Sequence, residues 1–203
     1  MRRALVSRFV LVFGCAFAAT TLGAAEFTDP DWPCIQRKVP ALSIGQMWAG
    51  PIPDGDWREA PAIRALADAI APRRTSLATV ETMVADFATA QPEAVRAEIL
   101  ALLVAGMIDL IDAERGELIV GISRYAHNQT LLSARVEDLQ AELVTLDRGD
   151  DGDLDRIEEI EDTLAWETRI FRDRAQSLTY VCETPVLLEQ RAFAIARLIA
   201  ASL

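Results

Sequence analysis

The chain predicts an all-α fold: a helical bundle from which a long antiparallel helical hairpin protrudes as a coiled-coil arm. Three observations predict it. Apolar residues recur every 3.5 positions from Ala101 to Leu146, an acidic turn bearing two glycines follows at once, and the helical period resumes at Leu154. A short turn between two such helices makes them antiparallel neighbours.

Residues 1–25 read as a secretory signal. Arg2, Arg3 and Arg8 form a positive start, Phe9 to Ala19 is an apolar run of 11 residues, and Gly23, Ala24 and Ala25 supply small side chains for cleavage. Cys15 is a poor lipidation site, because bulky Phe13 stands two positions before it. Cleavage would remove three arginines, leaving 178 residues and moving the formal net charge from −11 to −14. That charge argues against nucleic acid or an anionic membrane surface as partner. It also leaves two cysteines, Cys34 and Cys182. An even count in an oxidising compartment predicts a disulfide between them, and a periplasmic or secreted protein. No later segment is long enough to span a bilayer. Ile99 to Ile108, the most apolar run, is ten residues and reads as a buried core helix.

Residues 26–58 hold five of the nine prolines and three of the four tryptophans, Trp32, Trp48 and Trp57. Proline at that density removes backbone donors and fixes φ, so an extended strap is expected rather than helix. Cys34 would tie it to the helical body, with the tryptophans in grooves.

Residues 59–203 read as a single helical domain, with 120–182 as the hairpin. Pro61 suits a first helical turn, and Ile63, Leu66 and Ile70 form a stripe that ends before Pro72. A second helix starts at Thr75 or Ser76, carries Leu77, Val80, Val84 and Phe87 on one face, and stops at Gln91-Pro92. The long third helix has a seam of fourteen positions, of which only Arg115 and Gln129 are neither apolar nor aromatic. Polar residues in such a seam set register. Gly106, Gly116 and Gly121 each cost about 1 kcal/mol against alanine inside a helix, and Gly116 marks a candidate kink. Unbroken, residues 93–147 would extend about 80 Å at 1.5 Å per residue. The returning helix carries Leu154, Ile157, Ile160, Leu164, Phe171, Leu178 and Val181. It is expected to end near Cys182, with Thr184 capping a separate last helix that has Pro185 in its first turn and Leu188, Ala192, Ile195 and Ile199 on one face.

Groups suited to catalysis are sparse. The one histidine, His127, falls off the seam and is expected to face solvent, and the sequence nominates neither an orienting partner nor a nucleophile for it. The acidic hairpin tip is the constellation with a mechanism attached. Residues 137–162 contain twelve Asp or Glu and two Arg. Within them, Asp147 to Glu158 resembles an EF-hand calcium loop: Asp147, Asp151, Gly152, Leu154, Asp155 and Glu158 occupy its first, fifth, sixth, eighth, ninth and twelfth places. Gly149 stands at the third place, where the pattern wants a side-chain oxygen. The resemblance implies calcium held by Asp147, Asp151, Asp155 and Glu158. The alternative is a solvated turn in which Gly149 ends one helix and Asp153 or Asp155 caps the next.

The function expected is therefore non-catalytic. A structural, adaptor or chaperone-like protein would act through contacts of its arm with another protein, or with a second copy of itself, and without a cofactor. Two alternatives stand beside it: a version whose tip responds to calcium, and an enzyme or small-ligand binder with a pocket inside the bundle.

Overall fold

The computed structural model describes residue 29, residues 31–147 and residues 154–203. Residues 1–28, 30 and 148–153 lie outside this range, and the expected signal with them. The described residues form five helices and one 3-10 turn: α1 (Ile44–Met47), the turn Trp57–Glu59, α2 (Pro61–Ile70), α3 (Leu77–Thr89), α4 (Glu93–Asp147) and α5 (Leu154–Ala200). The fold is an all-α bundle with a hairpin arm.

The seam of α4 is buried as its period requires. Ala101, Val104, Ile108, Ile111, Arg115, Ile122 and Gln129 are buried, and the other seam positions are half-buried. The helix passes through Gly116 and Gly121 without a break. Continuous packing along one face outweighs the local cost of each glycine.

α5 departs from expectation. Pro185 does not open a new helix but lies inside a continuous one of 47 residues. A proline there forfeits the hydrogen bond to the carbonyl of Val181 and costs about 3 kcal/mol. The compensation is packing: Cys182, Pro185, Leu188, Ala192 and Ile195 are buried on one face, and a break at Thr184 would end that run. The seam runs through Leu178, Cys182 and Pro185, so Val181 is left exposed, as are Leu154 and Leu77 at the starts of their helices.

α2, α3, the first part of α4 and α5 from Leu188 onward enclose one core, built on Ile70, Val80, Val84, Leu100, Met107 and Ile195. Pro61 opens α2, and the Ser76 hydroxyl caps α3 by accepting from the Thr79 N–H at 3.1 Å. The end of α2 is closed from a distance. Arg191 of α5 donates to the carbonyls of Ile70 (2.7 Å), Ala71 (2.8 Å) and Thr75 (2.8 Å), while the Thr75 hydroxyl donates to Ala69 (2.8 Å). Those of Ala69, Ile70 and Ala71 are carbonyls a helix end leaves without internal partners, and that of Thr75 belongs to the loop before α3. Burial pulls the Arg191 pKa below its ordinary value. Arg191→Met keeps the bulk but orphans the carbonyls, and is expected to cost about 2–3 kcal/mol by the usual value of charge-assisted bonds. Urea denaturation checks this, and an unchanged midpoint would remove Arg191 from the stabilising set.

Among its described residues the strap has no helix beyond the single turn of α1 and the start of the 3-10 turn at Trp57, and the Trp32 N–H closes a turn on the Asp29 carbonyl at 3.0 Å. The turn of α1 falls within residues 41–50, a stretch without proline between Pro40 and Pro51, where nothing forbids helical φ or removes a donor. Ahead of it, Trp32, Cys34, Gln36 and Lys38 are half-buried while Asp31, Pro33, Ile35 and Arg37 are exposed, the alternation of an extended chain. The strap runs antiparallel to α4. Asp31 lies beside His127, the Leu42 N–H donates to Asp112 at 3.0 Å, and the Trp57 indole donates to Asp109 at 2.9 Å. Cys34 is joined to Cys182 of α5 by a disulfide.

Candidate functional site

The feature that reaches beyond the core is the arm, formed by α4 beyond Leu118 and α5 before Cys182. From Leu118 to Asp147, α4 extends about 45 Å at 1.5 Å per residue. Four polar contacts set its register. Tyr125 Oη donates to the Arg174 carbonyl (3.3 Å) and Gln129 Nε2 to the Phe171 carbonyl (3.0 Å). Arg135 Nε lies 2.6 Å from Glu167 Oε1, and Arg156 Nη2 lies 2.8 Å from Glu142 Oε1. As position rises on one helix it falls on the other, so the helices are antiparallel. Between these contacts Ala126 and Ile160 are buried, and Ile122 is buried one turn before the first of them.

The two polar seam residues have different tasks. Gln129 ties α4 to α5 and fixes register. Arg115, only 2% exposed, is directed at the strap: it lies 3.2 Å from Asp112 Oδ1 and donates to the Val39 carbonyl. Asp112 in turn accepts from Leu42. An arginine in the seam therefore holds a non-helical segment in place, which the heptad spacing alone could not reveal.

The beginning of the strap is held by charge as well as by the disulfide. Lys38 Nζ lies 2.6 Å from Asp29 Oδ2 and 5.6 Å from the centre of the Trp32 ring, and the indole donates to the Gln36 carbonyl at 2.7 Å. The Lys38 hydrogen bond, aided by the Asp31 N–H, holds the Asp29 carboxyl below its usual range. A carboxylate with a depressed pKa stabilises the folded state at neutral pH, and that contribution is lost as pH falls through the folded pKa.

His127 is exposed, with Nδ1 3.6 Å from Asp31 Oδ1. Ser123, one turn earlier, lies 3.5 Å from Lys38 Nζ. A cavity where strap and hairpin meet, lined by Trp32, Arg115, Ile119, Cys182 and Pro185 among others, has a volume of about 10 Å³, the room of a single water. An open groove of about 370 Å³ beside the disulfide is lined by Ile35, Leu178 and Thr179 among others.

Of the four acidic residues singled out in the turn, Asp155 and Glu158 are exposed in the first turns of α5. Asp147 ends α4, and Asp151 lies outside the described residues. Among the described residues no three His, Cys, Asp or Glu side chains are grouped as metal ligands.

The outward faces of the arm carry apolar side chains. On α5, Trp166, the half-buried Ile170 and Tyr180 recur in steps of four and three through Asp173 and Ser177, turned about 200° from the seam at 100° per residue. Trp166 is 64% and Tyr180 69% exposed. On α4, Val120, Ala134 and Ala141 each stand two positions before a seam residue, and Leu131 is 58% exposed beside them. Sequence reading missed this second stripe because the stronger inner seam dominates the same period. Trp166, the one tryptophan outside the strap, was the available signal.

No family model matches the chain, and no curated protein and no solved structure matches it either.

Proposed function

We propose that this is an exported protein, periplasmic or secreted, that acts without catalysis by binding protein along its arm, as a structural subunit, adaptor or chaperone-like module. The observation that carries this reading is the exposed stripe on α5: large aromatic side chains stand in solvent, at helical spacing, on the side of the helix away from its own packed seam. Tyrosine and tryptophan exposed in this way supply contact area at low cost in rotamer entropy and dominate protein interfaces. The Cys34–Cys182 disulfide suits an oxidising compartment. Among the described residues no helix is long and apolar enough to cross a membrane.

Site-specific photo-crosslinking tests the proposal in cells that export the chain. A photo-reactive phenylalanine analogue at Trp166 or Tyr180 is expected to give discrete protein adducts. The same probe at the exposed head positions Arg74 and Glu81 is expected to give none. Equal labelling at all four positions, or at none, would overturn an arm-directed function.

A further inference from the structure

Charge on the arm is divided along its length. Towards the tip, residues 137–146 and 154–162 expose eight carboxylates, with Glu137, Asp138 and Glu142 on α4 and the rest on α5, against the single Arg156. Nearer the head, Arg124 on α4 and Arg169, Arg172 and Arg174 on α5 are exposed, with Asp173 among them and Asp31 of the strap beside His127. Arg135, at the level of Trp166 between the two, is already paired with Glu167. The arm thus has an acidic tip and a basic waist. Sixteen residues separate Glu158 from Arg174 and fourteen separate Asp138 from Arg124, so tip and waist are roughly 20–25 Å apart along each helix. The midpoint of the first interval is Trp166, and that of the second is Leu131. These are two of the most exposed large apolar side chains on the arm.

We infer that the partner of the arm is a second copy of this chain, laid antiparallel to it so that each acidic tip lies on the other's basic waist and Trp166 meets its counterpart at a central two-fold axis. The inference rests on reading the arm as a protein-contact surface, and names the occupant. A two-fold interface is self-complementary, so a tip–waist contact made once is made twice. A residue at the midpoint of the two patches falls near the axis, where an exposed tryptophan forms an apolar centre flanked by charge. The charge pattern also selects the direction. A parallel pair would set tip against tip and waist against waist, and like charges would oppose it at both levels. The antiparallel pair also carries the two acidic heads to opposite ends.

Sedimentation of the disulfide-bonded chain from residue 26 tests this with charge reversal. The waist variant Arg172→Glu/Arg174→Glu and the tip variant Glu158→Arg/Glu161→Arg change only exposed side chains, and circular dichroism should show native helix in both. The parent chain is expected to form dimers that weaken as ionic strength rises from about 0.05 to about 0.5 M. Each variant alone is expected to lose self-association on the order of tenfold or more. An equimolar mixture of the two should regain it, since each reversed tip then meets a reversed waist. Trp166→Ala should weaken the parent dimer without changing its salt dependence. A monomeric parent at low salt, or a dimer indifferent to both reversals, would overturn the inference. If that monomer still crosslinks through position 166 to a different protein, the arm remains a protein-contact surface and only the second copy is excluded. If nothing crosslinks there, both readings fall.

Discussion

Removing the disulfide, as Cys34→Ser with Cys182→Ala, is expected to lower stability by up to about 5 kcal/mol in the chain-entropy model, the upper part of the range for such bridges. The bridge joins residues 148 apart in sequence, so its loss frees a loop that includes most of the chain. Cys182 is buried and alanine suits its site. Cys34 is half-buried, where a serine hydroxyl can reach water. A loss of that size corresponds to a melting temperature roughly 10–15 °C lower for a domain of this length. The strap should not come free all at once. Residues 31–38 depend on the bridge, on the half-buried contact of Lys38 with Asp29 and on the exposed contact of Asp31 with His127. Residues 39–57 keep Arg115 on Val39, Asp112 on Leu42 and Asp109 on Trp57. Limited proteolysis of the variant should cut first within 31–38, before the helices and before 42–57. Coincident cutting of the whole strap, or a melting temperature equal to the parent's, would contradict the division.

Trp57→Ala is expected to cost about 3–5 kcal/mol, the usual range for truncating a buried aromatic residue. The indole is 6% exposed, it donates to Asp109, and Arg58 lies 4.5 Å from the ring centre and 3.0 Å from the same carboxylate. Its seat on α4 is Gly106, where an added Cβ would come within 2.8 Å of the ring. Gly106→Ala should therefore destabilise the parent by about 1–3 kcal/mol through overpacking, although alanine is the better helix former by about 1 kcal/mol. In the Trp57→Ala background the sign should reverse. The ring is gone, the propensity gain remains, and Gly106→Ala should stabilise by about 1 kcal/mol. Urea denaturation of the four proteins in this double-mutant cycle measures the coupling. A Gly106→Ala effect of the same sign in both backgrounds would mean that the glycine is not there for the indole.

These two sites mark where sequence reading reached its limit. Gly106 was legible as a helix-interior glycine with a cost, and Trp57 as a large apolar side chain needing a groove. Their pairing was not legible, because 49 positions separate them and nothing local records the approach. Arg191 is a similar case. An arginine beside the seam of an amphipathic helix reads as a solvated charge, and only the packing of α5 against the end of α2 turns it into a cap for carbonyls about 120 positions earlier. Pro185 misled for a definite reason. The preference of proline for first turns is a local rule, whereas the decision at residue 185 was made by the buried face running from Cys182 to Ile199.

By itself the sequence determined what depends on period, composition and count. The 3.5-residue repeat required a long helix with one packed face, and the period resumed at Leu154 required a second one. Two cysteines beyond the signal-like segment allowed one pairing, and proline density kept most of the described residues up to 58 out of α-helix. Each is a short-range or combinatorial constraint, present in the chain before it folds. Only the tertiary structure decided that α5 continues through Pro185, that Arg115 holds the strap, that Arg191 closes α2, and that Trp166 and Tyr180 stay in solvent while the seam beside them is filled. Those outcomes follow from which surfaces meet. A helical period states that a face will be buried, but the partner is chosen by competition among all apolar faces of the folded chain, and the faces left over are known only when that competition has ended.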